Sequence, residues 1–366
     1  MKKILITGAG GFIGGRLVEI LKETENPEIC ILLRNIAKAA RISSYPLNYF
    51  KGSASNENAI AASMQGCDTV VHCAHNFASP EENLQAADII AKQCLQNGVS
   101  KLVYISSFAV HSSNAEDRIK EDSLLNEQWE YAVNKIAIEK KLMEYHKQKG
   151  LPVIILRPAV VYGPFSAAWT TNTVMQMLGG RVVIPYEGER ICNAVYIDDV
   201  VNAIIKALRS PASCNGKTFI VSGPGTVSWK DYYNSFLPYG GLSEPVLMSR
   251  QESELFLKNF NGDKTAESKA SLLKDPVSFL KTTPVYNLYK ALLKNPGIRK
   301  KLLSAKANIP RQLIYPSKDA FETLSCIGRA DITKLKTELG YYPQFNFNEG
   351  MKKTLLWIEW ANLNSN

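Results

Sequence analysis

Short, continuous apolar runs separated by amphipathic stretches organise the first third of the chain. Lys3-Ile4-Leu5-Ile6-Thr7, Ile29-Cys30-Ile31-Leu32-Leu33, Thr69-Val70-Val71-His72 and Leu102-Val103-Tyr104-Ile105 are each rich in β-branched or large apolar residues. Each is bounded by polar or turn residues. Runs that are apolar throughout, rather than alternating, predict strands buried on both faces. Helical patterns lie between them, the first over roughly 12–23, so the expected fold is α/β with a doubly wound parallel sheet. A further strand is predicted at 153–156, ending at Arg157-Pro158. Beyond about residue 164 the pattern loosens, with one clear short strand at Thr218-Phe219-Ile220-Val221. Residues 250–325 read as a helical insertion punctuated by Pro276, Pro284, Pro296 and Pro310, and a last helix is predicted near 348–361. The expected division is a nucleotide-binding domain over 1–165 and a smaller C-terminal α/β lobe over 166–366. Some later segments are expected to return to the first domain.

Composition narrows the class. A chain of 366 residues suits one large domain plus a smaller lobe, and 45% hydrophobic with 21% charged residues is a soluble globular balance. No apolar stretch reaches the roughly 18 residues that a spanning helix needs. Met1-Lys2-Lys3 before an apolar run looks like the start of a secretion signal, but Gly8, Gly10, Gly11 and Gly14 break the run, which reads as a first strand instead. Seven cysteines, odd in number, without a C-x-x-C pair and mostly within apolar runs, fit reduced thiols in a cytoplasm. The four histidines lack metal-ligand spacing, so no metal site is expected. The formal charge is +9, yet residues 276–311 hold eight Lys/Arg and no Asp or Glu, which leaves +1 for the rest. A nucleic-acid-binding reading loses its support.

The first strand runs straight into Gly8-Ala9-Gly10-Gly11-Phe12-Ile13-Gly14, where Gly8, Gly11 and Gly14 keep a G-x-x-G-x-x-G spacing ahead of an amphipathic helix. Glycine permits the tight turn, lets backbone approach a pyrophosphate and lets helix pack on strand. The helix N-terminus then offers free N–H groups and a positive dipole end. Gly8, Gly11, Phe12, Ile13 and Gly14 are therefore candidate nucleotide-binding residues; the alternative is a glycine-rich turn without a ligand. The second strand ends at Arg34-Asn35. An acidic residue there reads the ribose 2′-OH of NAD, whereas a basic one accommodates the 2′-phosphate of NADP. Arg34, with Lys38 and Arg41 on the following turns, favours NADP over NAD; a solvated arginine is the alternative.

Tyr131 and Lys135 stand at i and i+4 and share one helix face. An ammonium beside a phenol stabilises the phenolate and lowers its pKa, which makes a proton donor and acceptor usable near neutral pH. Ser107, at the C-terminal end of its strand, could hold a reacting oxygen against Tyr131.

Taken in order, T-G-A-G-G-F-I-G, D-T-V-V-H-C-A, Y-I-S-S-F-A-V and Y-A-V-N-K resemble the extended short-chain dehydrogenase/reductases, the NAD-dependent epimerase/dehydratase family. R-P-A-V-V-Y-G-P at 157–164, V-Y-I-D-D-V at 195–200 and L-G-Y-Y-P at 339–343 extend the resemblance to nearly the whole chain outside 250–325. It implies that Tyr131 passes the proton, that Lys135 lowers its pKa and binds the nicotinamide ribose, and that Ser107 orients the substrate oxygen. Alignment on Val110 selects Ser107 over Ser106. The resemblance adds His72 and Ala74 as floor of the cofactor cleft, Pro158 and Val161 beside the nicotinamide, and Asn83 as a matched position of the following helix. It also implies a homodimer through helices around 84–97 and 131–147. Three functions stay open: an epimerase or dehydratase on a sugar derivative, lipid-linked sugars included; a net NADP-dependent reductase or dehydrogenase of a ring ketone or alcohol; and a non-catalytic nucleotide-sensing scaffold.

Several positions depart from the family pattern. Ser53 stands where an acidic residue is usual after the third strand, and Ala86-Ala87 replace Gly-Thr. Cys192 and Asn193 stand where sugar-nucleotide members keep an arginine, with Arg190 two residues out of register. The loop from His72 to Asn83 is short, which predicts a more open substrate pocket on that side. Asp198 and Asp199 are expected to cap a helix and complement its dipole, Cys73 to floor the cleft, and His111 and His146 to lie at the surface; His75 could face substrate. Within the insertion, Val285, Leu288, Tyr289, Leu292 and Leu293 form an apolar stripe with Lys281, Lys290, Lys294, Arg299, Lys300 and Lys301 close by. Such a stripe caps a lobe or lies in an anionic membrane surface, which would place a cytoplasmic protein at the inner membrane face.

Overall fold

Successive side chains of a strand point to opposite faces, so strands that are apolar throughout must be covered twice. In the computed structural model, which describes residues 1–112, 116–262 and 312–361, this is what happens. Ile4 and Ile6 of strand β1 (Lys3–Thr7) join one core with Leu17, Val18 and Leu21 of helix α1 (Phe12–Thr24). Leu5 joins the opposite core with Ile60 and Met64 of α2 (Glu57–Met64), Ile90 and Cys94 of α3 (Pro80–Gln96), and Ile138 and Leu142 of α4 (Glu130–Lys149). The same split runs through β2 (Glu28–Leu33), β4 (Thr69–His72), β5 (Lys101–Ile105) and β6 (Val153–Pro158).

With β3 (Asn48–Lys51) and β7 (Lys217–Val221), these strands form one seven-stranded parallel sheet of order β7-β6-β5-β4-β1-β2-β3. The order reverses between β1 and β4, so a crevice opens at their carboxyl ends, the usual ligand position in such sheets. Helix α5 (Ile197–Leu208) covers the α1 face, and Arg16 of α1 holds its Asp198 through Nε at 2.6 Å and Nη2 at 3.1 Å.

The remaining elements are small. Arg181–Ile184 is the centre of a three-stranded parallel sheet flanked by Val246–Leu247 and Leu313–Ile314. The expected helical insertion is helical at Arg250–Gly262 and Lys318–Leu324, but Leu313–Ile314 is a strand, recruited by pairing with Arg181 and Val182. The apolar and basic stripe at 281–301 lies outside the described residues. Asp198 and Asp199 stand in the first turn of α5, as expected for carboxylates at the positive end of a helix dipole, but neither caps it: Tyr196 is the N-cap without a side-chain bond, and both carboxylates serve as tethers. Asp199 accepts from Tyr341 Oη and from the Gln344 and Phe345 amides, pinning the 341–345 segment.

Candidate active site

The crevice between β1 and β4 is a cleft of about 480 Å³ walled by Gly8, Gly10, Gly11, Arg34, Lys38, Ser53, Ser55, His72, Cys73, Ala74, His75, Glu82 and Asn83, among others. Gly8 has φ +74°, and a Cβ there would stand 2.7 Å from Ala74 N, so only glycine suits the turn. A Cβ on Gly14 would meet Gly8 O at 2.4 Å, which fixes Gly14 as the contact between helix and turn. Gly11 is the N-cap of α1, with no side-chain cap and no acidic residue in the first turn. The first N–H groups of that helix thus have no capping side chain and could serve a polar ligand. These features fit a dinucleotide diphosphate. His72 floors the cleft, bonded through Nδ1 to Thr7 Oγ1 at 2.7 Å, and burial pushes its pKa down to about 3, so the ring stays neutral. Arg34 is exposed and Lys38 lines the wall, but Arg41 is drawn away by Glu19, through Nε to Oε1 and Nη2 to Oε2.

Ser107, Tyr131 and Lys135 converge beside this cleft. The Tyr131 hydroxyl lies near enough to Ser107 for that side chain to lower its pKa, and Ser107 Oγ accepts from the Ala109 amide at 3.2 Å. Lys135, 4% exposed, donates to the Ile105 carbonyl at 2.9 Å, with Nζ 5.9 Å from the Tyr131 ring centroid. Burial pushes the lysine down to about 8. It also holds the phenol above its ordinary value, against the expected lowering by the ammonium; the Ser107 side chain offsets this only in part. Ser106 goes elsewhere: it donates to Glu139, which Arg157 clasps through Nε at 3.0 Å and Nη2 at 2.5 Å. His111 joins this network through Nε2, 3.1 Å from Arg157 Nη1, and is 1% exposed, not a surface residue. His146 is half-buried, with Nδ1 2.7 Å from the Leu151 carbonyl.

The short loop after His72 does not leave Tyr131 open. Phe77 stacks on its ring at 5.5 Å and 21°, His75 meets it edge-on at 5.3 Å, and Trp129 approaches at 5.4 Å. Asn83 closes the loop, accepting from Asn76 N and donating to Asn76 O, and it reaches Asn134 of α4 at 3.1 Å. Phe12, Ile13, Gly14, Tyr131, Lys135, Pro158 and Val161 lie outside the cleft wall proper. On the far side, Cys192 is fully buried, and Asn193 is committed to the Gly328 carbonyl and the Ala330 amide. Arg190 lies over Tyr186, 4.4 Å from its centroid.

One polar group of the cleft is not legible in the pattern of residues. Ser79-Pro80-Glu81-Glu82 reads as a capping box, in which Glu82 would reach back to the cap. Ser79 does cap Glu82 N at 3.3 Å, but the Glu82 carboxylate turns into the cleft to Ser53, Ser55 and Asn76.

Known proteins share this framework. The chain is 26% identical over 247 residues to the UDP-glucose 4-epimerase of Vibrio cholerae, covering 62% of this chain and 72% of that protein. It is 26% identical over 245 residues to vestitone reductase of Medicago sativa, covering 57% and 73%. The dTDP-glucose 4,6-dehydratase DesIV of Streptomyces venezuelae, solved with NAD and TYD, superposes with a TM-score of 0.70 over 98% of both chains at 19% identity, a likeness of fold. The sequence profile of the NAD dependent epimerase/dehydratase family matches residues 4–222, more than half of the chain, which therefore belongs to that family of extended short-chain dehydrogenase/reductases.

Proposed function

We propose that the protein interconverts hydroxyl and carbonyl at one carbon of a sugar derivative, as an epimerase or dehydratase in which hydride leaves and returns within one cycle. The observation that carries this reading is the gathering of Tyr131, Ser107 and Lys135 at the sheet's carboxyl edge, with Ser107 beside the phenol and Lys135 one helical turn from it. The cleft residues would hold a dinucleotide whose nicotinamide would supply the hydride chemistry. Tyr131 would give and take the hydroxyl proton, and Ser107 would hold the same oxygen in register. Lys135 would stabilise the phenolate once its ammonium turns from Ile105 O towards the ring. Phe77, His75 and Trp129 would keep water from the phenol.

A second reading, a net NADP-dependent reductase or dehydrogenase of a ring ketone or alcohol, is favoured by Arg34 and Lys38 at the cleft and by the buried Cys192 on the substrate side. Denaturing freshly purified protein and identifying the released nucleotide by mass spectrometry separates the two. Stoichiometric, tightly held NAD(H) supports the internal cycle. Empty protein that takes up NADPH in preference to NADH supports the net reductase. Arg34→Asp should then shift preference towards NADH, and an unchanged preference would remove Arg34 from the ribose. The setting we propose is a cytoplasm, consistent with cysteines that are nearly all buried, as a homodimer through α3 and α4, with contact to an anionic membrane through 276–311.

A further inference from the structure

The adenosine end of a dinucleotide lies over the carboxyl ends of β2 and β3, because the residue that reads the ribose follows β2. The loop after β3 therefore faces the base. In this chain that loop carries Ser53 and Ser55 and no carboxylate of its own, yet a carboxylate is present there. Glu82 enters from the first turn of α3, and its Oε1 accepts from Ser53 Oγ at 2.7 Å and from Ser55 Oγ at 2.8 Å. Its Oε2 accepts from Asn76 Nδ2 at 2.6 Å.

Each carboxylate oxygen can accept about two hydrogen bonds. Oε1 is filled by the two serines. Oε2 has one direction left, and the nearest cation, Arg34 Nη1, stands 4.0 Å away, beyond hydrogen-bonding distance. Three neutral donors hold the group ionised and aimed, with its pKa pushed down to about 2. Helix capping does not account for this placement, since the Ser79 amide is bonded to Asn76 O rather than to Glu82.

We infer that Glu82 is the base-reading residue of this chain, its free Oε2 position accepting a hydrogen bond from the exocyclic amine of adenine. The inference rests on the reading of the cleft as a dinucleotide site. Ser53 and Ser55 are then positioning residues that orient the carboxylate. Arg34, directly after β2, remains on the ribose side.

The test is binding of NADH and NADPH, and of their hypoxanthine analogues, to the full chain by calorimetry. The analogues carry a carbonyl oxygen where adenine has its amine, so a carboxylate facing that position would be repelled. The wild-type protein is expected to bind the adenine forms about 10- to 100-fold more tightly, the worth of one hydrogen bond to a charged group. Glu82→Ala is expected to lose that discrimination while binding of reduced nicotinamide mononucleotide, which has no adenosine, stays the same. Equal wild-type affinity for both bases overturns the inference and needs no variant to fold. So does a Glu82→Ala protein that keeps its base preference and changes only its NADPH-to-NADH ratio, for Glu82 would then act on Arg34 and the ribose. If no dinucleotide binds at all, the function proposed above fails together with this inference.

Discussion

Burial acts in opposite senses on the two ionisable groups of the proposed proton donor: it raises the Tyr131 phenol and lowers the Lys135 ammonium to about 8. Lysine is the charged partner below its pKa and neutral above it. The phenolate therefore loses its stabilising charge as pH rises through about 8, not near the ordinary lysine value of 10.5. The kcat/KM for the reacting substrate, which reports the enzyme before that substrate binds, should fall on the alkaline side with an apparent pKa of about 8. A profile that stays level to about pH 10, near the ordinary lysine value, would separate Lys135 from the reaction. Tyr131→Phe removes the transferable proton while leaving the ring against Phe77 and Trp129. Turnover should drop by at least about two orders of magnitude, with dinucleotide affinity nearly unchanged; near-normal turnover would overturn the assignment.

Among elements, the junction of β5 and α4 gives two adjacent serines different partners, and the proposed function assigns chemistry to one and support to the other. Ser107 meets Tyr131, whereas Ser106 meets a buried carboxylate that Arg157 holds. Ser107→Ala should therefore reduce turnover with little change in urea stability. Ser106→Ala should lower unfolding free energy by about 1–3 kcal/mol, the range for a buried acceptor that loses a donor; the reverse pattern would exchange their roles. The choice of Ser107 over Ser106 rests on the family resemblance, through alignment on Val110, because two adjacent hydroxyls at a strand end look alike in the local pattern. The main strands were legible because a strand covered on both faces must be apolar throughout. His111 and Glu82 were not, since each is fixed by partners distant in sequence: Arg157 for the first, Ser53 and Ser55 for the second. Pairs as short as Val246–Leu247 and Leu313–Ile314 show no periodicity, and only the central strand Arg181–Ile184 makes them strands.

For the whole molecule, the uneven charge makes a prediction that no single site makes. A net +9 spread evenly would attract anionic surfaces weakly from every side, but +8 of it lies within 276–311. Basic residues near an anionic leaflet contribute about 1 kcal/mol each, and the attraction fades within a Debye length of roughly 10 Å at 0.1 M salt. With eight Lys/Arg and no Asp or Glu in this segment, contact through it with an anionic surface should weaken as salt is raised. The protein should cosediment with phosphatidylserine vesicles at low ionic strength, release as salt is raised, and ignore phosphatidylcholine vesicles. A protein with the six cations Lys281, Lys290, Lys294, Arg299, Lys300 and Lys301 changed to glutamine should lose the vesicles while keeping its dinucleotide affinity. Failure of the parent protein to sediment at low salt would leave these cations as a solvated cap of the small lobe. Retained binding by the glutamine variant would move the contact to another face of the molecule.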